Sequence, residues 1–216
     1  MTFGRFGVAI LTLVLIAATS ANAATITYSD RTAFESTLGF SATEDFEGFA
    51  VEHEFHTVPF DFGAFTVSMT GTPSTSYNFL DVAPAATSES DVNGTNGMRV
   101  FTDGDDTLVF TFDQAITAFG ADFKNLNDSQ SRTDVLAAGV LMTPGVVSLG
   151  STSFFGFTSD TPFTTVTFDG RLNDTYGIDN VTYGQTPEPA SLVLLGAGGL
   201  FLTFGAMRRR RRKASA

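Results

Sequence analysis

Apolar residues in this chain recur with a period of two, in runs too short for helices. Phe65, Val67 and Met69 share one face of such a run, as do Leu108, Phe110 and Phe112, and Phe119, Ala121 and Phe123. Successive side chains of a strand point to opposite faces, so these runs bury one side and predict half-buried strands. Further strands are expected at 25–28, 43–49 with Phe46 inward, 62–70, 77–82, 135–142, 146–149, 154–157, 163–168 and 176–183. Residues 98–101 and 107–112 read as a hairpin turning at Asp103-Gly104, and Pro144-Gly145 is a second turn signal. Asp30 is placed to cap one brief helix over 31–38, closed by Gly39. About ten or eleven short strands with almost no helix predict an all-β fold, an antiparallel β-sandwich over 24–184.

Both ends of the chain read as addresses and stand outside that fold. Arg5 precedes an apolar stretch over 6–18, and Ala21-Asn22-Ala23 supplies the small residues a signal peptidase reads. This predicts a signal peptide over 1–23 with cleavage before Ala24; a retained anchor is the alternative. At the other end Pro187-Glu188-Pro189 forms a stiff hinge, because each proline fixes its own φ and extends the residue before it. Residues 190–207 carry no charge and read as one transmembrane helix of about 27 Å, near the thickness of a bilayer's hydrocarbon. A basic tail over 208–213 follows, with Arg208, Arg209, Arg210, Arg211 and Arg212 in sequence. Arginines stay on the cytoplasmic side, which puts Pro187 outside.

Residues 24–184 hold 22 acidic against five basic residues, a net charge of −17 that the whole-chain value of −11 conceals. Such a surface repels nucleic acid and anionic lipid, and suits cations, Ca²⁺ above all. The chain has no cysteine, which excludes thiol nucleophiles, iron–sulfur clusters and cysteine zinc sites.

The order Pro187-Glu188-Pro189, apolar span, basic run resembles the PEP-CTERM sorting signal of Gram-negative envelope proteins. The resemblance implies an exported precursor, transiently in the inner membrane, which an exosortase cuts at the motif (region 185–216) before the mature form reaches the surface or the medium. An ordinary uncut tail anchor is the other reading. Glu44-Asp45-Phe46-Glu47-Gly48-Phe49, Phe119-Gly120-Ala121-Asp122-Phe123, Phe155-Gly156-Phe157, residues 162–168 and Gly177-Ile178-Asp179-Asn180-Val181 resemble the globular part of many such proteins. Those parts look like jelly-roll or lectin-like sandwiches. Such modules often hold a structural Ca²⁺ between an early acid and an Asp on the last strand. The matching positions are Glu47 (or Asp45) and Asp179, with Asp122 as a third ligand.

Other acidic clusters fit blander roles. Asp103-Gly104-Asp105-Asp106 lacks the alternate spacing of an EF-hand loop and reads as a turn. In Glu52-His53-Glu54-Phe55-His56 the histidines are three apart, not the four of a His-Glu-x-x-His metalloprotease, and no third His exists. No Gly-x-Ser-x-Gly elbow is present. Sugar faces commonly stack on Trp or Tyr; with no Trp, Tyr77 and Tyr176 are the candidate ligand-binding rings. The sequence therefore predicts a non-enzymatic, exopolysaccharide-associated envelope or matrix protein, with a calcium-dependent carbohydrate-binding module as the alternative.

Overall fold

The computed structural model describes residues 24–82, 92, 96–128 and 130–187. The expected signal peptide, Glu188, Pro189, the span over 190–207 and Arg208 to Arg212 lie outside the described residues. Twelve strands form one antiparallel hydrogen-bonded network. In chain order they are β1 (Thr25–Tyr28), β2 (Phe40–Glu44), β3 (His53–Glu54), β4 (Phe60–Asp61), β5 (Phe65–Thr70) and β6 (Phe79–Asp81). They continue with β7 (Gly97–Thr102), β8 (Thr107–Lys124), β9 (Arg132–Ala137), β10 (Val140–Met142), β11 (Thr152–Leu172) and β12 (Asp174–Gln185). One helix, α1 (Arg31–Glu35), sits between β1 and β2, capped as expected by Asp30, whose Oδ1 accepts from Ala33 N at 2.7 Å.

Two long strands make this network a sandwich. Phe110 and Phe119 both lie in β8, nine residues apart, a separation of about 30 Å in a straight strand. Their ring centroids are 5.4 Å apart. Phe119 also meets Phe157 and Phe168 of β11 at 5.9 and 6.0 Å. Both strands therefore turn a corner, and their halves face each other across the core. The corner in β8 falls at exposed Asp113, Gln114 and Ala115; in β11 it falls where the register slips between Thr158 and Thr165.

One layer then runs β10-β9, the second half of β11, the first half of β8, β5 and β4. The other runs β1, the first half of β11, the second half of β8, and β12. β12 pairs with β2 over its last residues and with β7 over its first, and β6 and β3 continue from β7. On the outer face of this second layer Phe34 of α1 packs on Phe154 and Ala118. A Cβ on Gly120 would stand 2.5 Å from the Phe154 ring, so that glycine makes room for the ring on which Phe34 packs.

Four expectations need correction. Residues 43–49 do not continue as a strand: Phe46 has φ 59°, because Glu44 Oε1 accepts its N–H and Asp45 Oδ1 accepts that of Glu47. Such local side-chain acceptors compete with the ladder and turn the chain, while the Phe46 ring stays buried. β7 and β8 flank a turn at 103–106 but are not partners, since β7 pairs with β6 and β12 and the first half of β8 with β5 and β11. The expected strand over 135–142 breaks at Ala138-Gly139, both at positive φ, into β9 and β10. Residues 146–149 form no strand, and Val146 and Leu149 are exposed.

Phe119→Ala removes the ring that both layers share and should destabilise the domain by about 3–5 kcal/mol in urea unfolding. Phe40→Ala, at a side chain 68% exposed, should move it by less than about 0.5 kcal/mol.

Candidate functional site

Two of the three acids expected to meet, Asp122 and Asp179, stand opposite each other on the outer face of the second layer, and the charge of Glu47 acts on Asp179 from the loop after β2. Asp179 of β12 lies directly opposite Asp122 of β8, a pairing that sets side chains on one face about 5 Å apart. Asp122 is held by Arg31 of α1, Nη2 to Oδ2 at 3.1 Å, and by Asn180 Nδ2 at 3.1 Å. Arg31 donates in addition to Thr182 Oγ1 and the Asn180 carbonyl, tying the helix to β12. Glu47 arrives from the loop after β2, where its Oε1 accepts from Asn96 N at 3.0 Å. The Asn96 amide donates to the carbonyls of Phe46 and Phe49 and so pins that loop against the start of β7. The pairing that closes the fold is β2 with β12, whereas β1 pairs with β11.

Asp179 has no exposed surface. Its Oδ1 accepts from Asn180 N, and among the described residues nothing donates to its Oδ2. Burial pushes its carboxyl up to about 7; the Asn180 bond opposes this, and the charges of Asp122, Glu47 and Asp45 add to it. Among the described residues no three His, Cys, Asp or Glu side chains are grouped closely enough to hold a metal ion. What the arrangement offers is one buried carboxylate oxygen under an acidic rim.

A second buried acid has no counterpart in the sequence reading. Asp174, at the start of β12, accepts from Asn127 N at 3.0 Å and Thr133 Oγ1 at 2.8 Å. Burial raises it to about 6, with Asp128 adding a smaller push. Its partners come from β9 and the loop after β8, so no short motif could have announced the cluster.

The aromatic candidates fare differently. Tyr176 is wholly buried beside Phe168, so its ring presents no face to a ligand; the strand alternation placed it in the core, and the sequence expectation is corrected. Tyr77 is half-buried, packed on Phe101 at 5.4 Å with the Arg99 guanidinium 5.6 Å from its ring. His53 stacks on Phe60 at 4.3 Å, and His56 Nε2 meets Glu54 Oε2 at 2.8 Å. Within Asp103-Gly104-Asp105-Asp106, Asp103 Oδ1 accepts from Asp105 N and Asp106 Oδ1 from Thr72 N, as a turn requires.

The sorting hinge begins where the sheet ends. Gln185 is the last residue of β12, paired with Phe40, and its carbonyl accepts from Gly39 N at 2.9 Å. Thr186 N donates to Thr117 Oγ1 at 2.7 Å. Pro187 is exposed and lies over Gly39, where an added Cβ would be 3.3 Å from its ring.

The described residues thus define an antiparallel β-sandwich whose last strand runs straight into a sorting hinge. The PEP-CTERM protein-sorting motif matches residues 185–212. This motif supports exosortase-dependent sorting of an exported protein and implies a membrane-anchored precursor. Among the described residues no helix is long and apolar enough to cross a membrane. No curated protein matches the chain. The catalytic unit of a thermostable GH87 alpha-1,3-glucanase from Streptomyces thermodiastaticus strain HF3-3 is similar over 68% of this chain and 26% of its own. At 17% identity and a TM-score of 0.32, that likeness assigns no activity.

An acid whose pKa is raised by folding carries its proton in the folded state at pH values where the unfolded chain has lost it. Between about 4 and 7 the folded protein therefore binds more protons at Asp179, and stability falls as pH rises through that window. In chelator, Asp179→Asn should gain on the wild type from pH 4 to 7 and keep the advantage above. Urea unfolding across pH reads this; a constant difference would show that Asp179 is not the titrating group.

Proposed function

We propose that the protein is a non-enzymatic component of the cell envelope or extracellular matrix. It is exported, cut by an exosortase at its C-terminal motif, and held at the surface or released among exopolysaccharides as an acidic β-sandwich. The observation that carries this reading is the sorting motif over 185–212, joined to β12 without a linker. A structural role is supported by how the reactive side chains are engaged: His53 on Phe60, His56 with Glu54, Asp122 with Arg31. The strongly acidic domain suits a hydrated, cation-rich matrix better than a nucleic acid. Glu188→Ala, or removal of 208–213, should leave precursor in place of the cut form in the host, read by intact mass. The secreted sandwich should keep its β-sheet circular dichroism in both variants. Wild-type processing of both would overturn the reading.

A second reading, a calcium-dependent carbohydrate-binding module, is favoured by the buried Asp179 Oδ2 under Asp122, Glu47 and Asp45. Ca²⁺ takes carboxylate and carbonyl oxygens in flexible geometry, and binding there would expel the Asp179 proton and offset the repulsion among the acids. Of the two rings considered for a sugar, Tyr77 is the one with a surface. Calcium at about 1 mM, the range of extracellular modules, should raise the Tm of the wild type at pH 7.5 and leave Asp179→Asn unmoved. Equal melting with calcium and with chelator would dismiss the site.

A further inference from the structure

The place where the chain leaves the sandwich restricts how the domain sits in its precursor. Across the second layer the last row of residues is Thr25 of β1, Ser159 of β11, Thr117 of β8, Gln185 of β12 and Phe40 of β2. The corner of β8 and the corner of β11 lie at this same end, so it is the closed, turned edge of the sandwich. Ala24 is there too, its N–H donating to Asp160 Oδ1 at 2.9 Å. A cleft of about 440 Å³ joins Ala24, Ile26, Pro162 and Pro187. The N-terminal and C-terminal ends of the described domain therefore emerge side by side.

From Gln185 only Thr186 to Pro189 intervene before the uncharged stretch begins at Ala190. Four residues reach at most about 14 Å when fully extended. The headgroup layer on each side of a bilayer is itself about 5–7 Å deep. Thr186 is moreover fastened to Thr117, and Pro187 is laid over Gly39, so the first part of that reach is spent along the domain's own surface. While the tail is in the membrane, this end of the sandwich has no room to stand off from it.

The same end exposes large apolar side chains on either side of the exit, Ile26 at 58% and Phe40 at 68%. They are about 20 Å apart, four strands across the sheet, and alternation sends Ile26 to the outer side of the layer and Phe40 to its inner side, so the two flank the edge. Asp113 and Asp160 are the acids beside them, so the surface that fits is an uncharged, zwitterionic one.

We infer that in the membrane-anchored precursor the exit end of the sandwich rests on the lipid headgroups, with Ile26 and Phe40 as its contacts. The inference rests on the sorting reading above. It makes the domain's orientation a property of the folded β2–β12–β8 edge, and it means an exosortase meets its motif at a lipid-facing edge and not on a free stalk.

The chain has no tryptophan, so single replacements report without background. Full-length Phe40→Trp, Ile26→Trp and, at the opposite end, Leu149→Trp would be reconstituted in phosphatidylcholine vesicles containing headgroup spin-labelled lipid. Leu149 is 79% exposed and lies next to the loop that bonds Asn125, beyond Lys124. Tryptophan at 40 and 26 should shift to the blue and be quenched, while tryptophan at 149 should keep the emission of the vesicle-free chain. Vesicle-bound protein with all three sites quenched alike, or with 40 and 26 unquenched, would overturn the inference. If positions 40 and 26 became shielded only on adding exosortase, the surface would belong to the protease and the lipid assignment would fall. A chain that failed to float with vesicles would remove the anchored reading itself, an outcome distinct from a bound chain with exposed sites.

Discussion

The corner in β8 and β11 is the constraint on which the rest of the molecule depends. A two-layer core needs two apolar faces opposed, and here one pair of strands supplies parts of both. Phe119 is where the halves meet, touching Phe110 and Phe112 of its own strand and Phe157 and Phe168 of the other. The bend costs ladder bonds at exposed Asp113–Ala115 and at the register slips of β11. It is offset by burying a near-continuous aromatic cluster, which explains how an exported domain without cysteine can dispense with disulfides. Every candidate site is placed by this frame. The outer face of the second layer receives α1 and the acids, and the bent edge receives the chain ends.

β12 carries the unusual chemistry. Over 177–184 it is an interior strand, with β8 on one side and β7 or β2 on the other, and its first residues pair with β7. Charged residues are rare in such a place, since burial penalises the ionised form. Asp179 is there and Asp174 is buried at the start of the strand, both with raised pKa values that come first from burial. Asp174 accepts from Asn127 and Thr133, both on Oδ2, and among the described residues nothing donates to its Oδ1. Asp179 is likewise answered on one oxygen only among the described residues, by Asn180 N, and the charges of Asp122, Glu47 and Asp45 push its carboxyl further up. What sets Asp179 apart is the number of like charges around it, since Asp174 has Asp128 alone.

The fold class was legible because alternation survives bending. Leu108, Phe110 and Phe112 keep their face through one half of β8 and Phe119, Ala121 and Phe123 through the other, so two strands could be read where one bent strand exists. The corner was not legible, since a run of Asp113, Gln114 and Ala115 looks the same at a corner as at a loop. Asp103-Gly104 announced a turn but not the layer to which each flank would go, because pairing partners are set by distant packing. Tyr176 departs from expectation for a related reason: its ring suits stacking on a sugar, but its position in the alternating strand turns that ring into the core. Of Glu47, Asp122 and Asp179, which came from a resemblance, the β8–β12 pairing sets Asp122 and Asp179 opposite each other, while Glu47 stands in the loop after β2. The Asp174 cluster, gathered from single residues of separate elements, left no local trace.

The order of pairing also bears on when the domain can fold. β1 and β2, the first strands made, find their partners in β11 and β12, the last. Contacts of such long sequence separation need nearly the whole domain, and their loop-closure cost makes them late. β12 is flanked on both sides, so the second layer stays open along its middle until that strand arrives. The strand that completes the sheet is the strand that runs directly into the sorting motif. Closing the sandwich and setting Pro187 against Gly39 are therefore one event, because the bonds that seat Gln185 and Thr186 are made by β2, the residue before it and β8. The folded edge and the hinge are thus built from the same hydrogen bonds, and the position of Pro187 is set by the closed sheet.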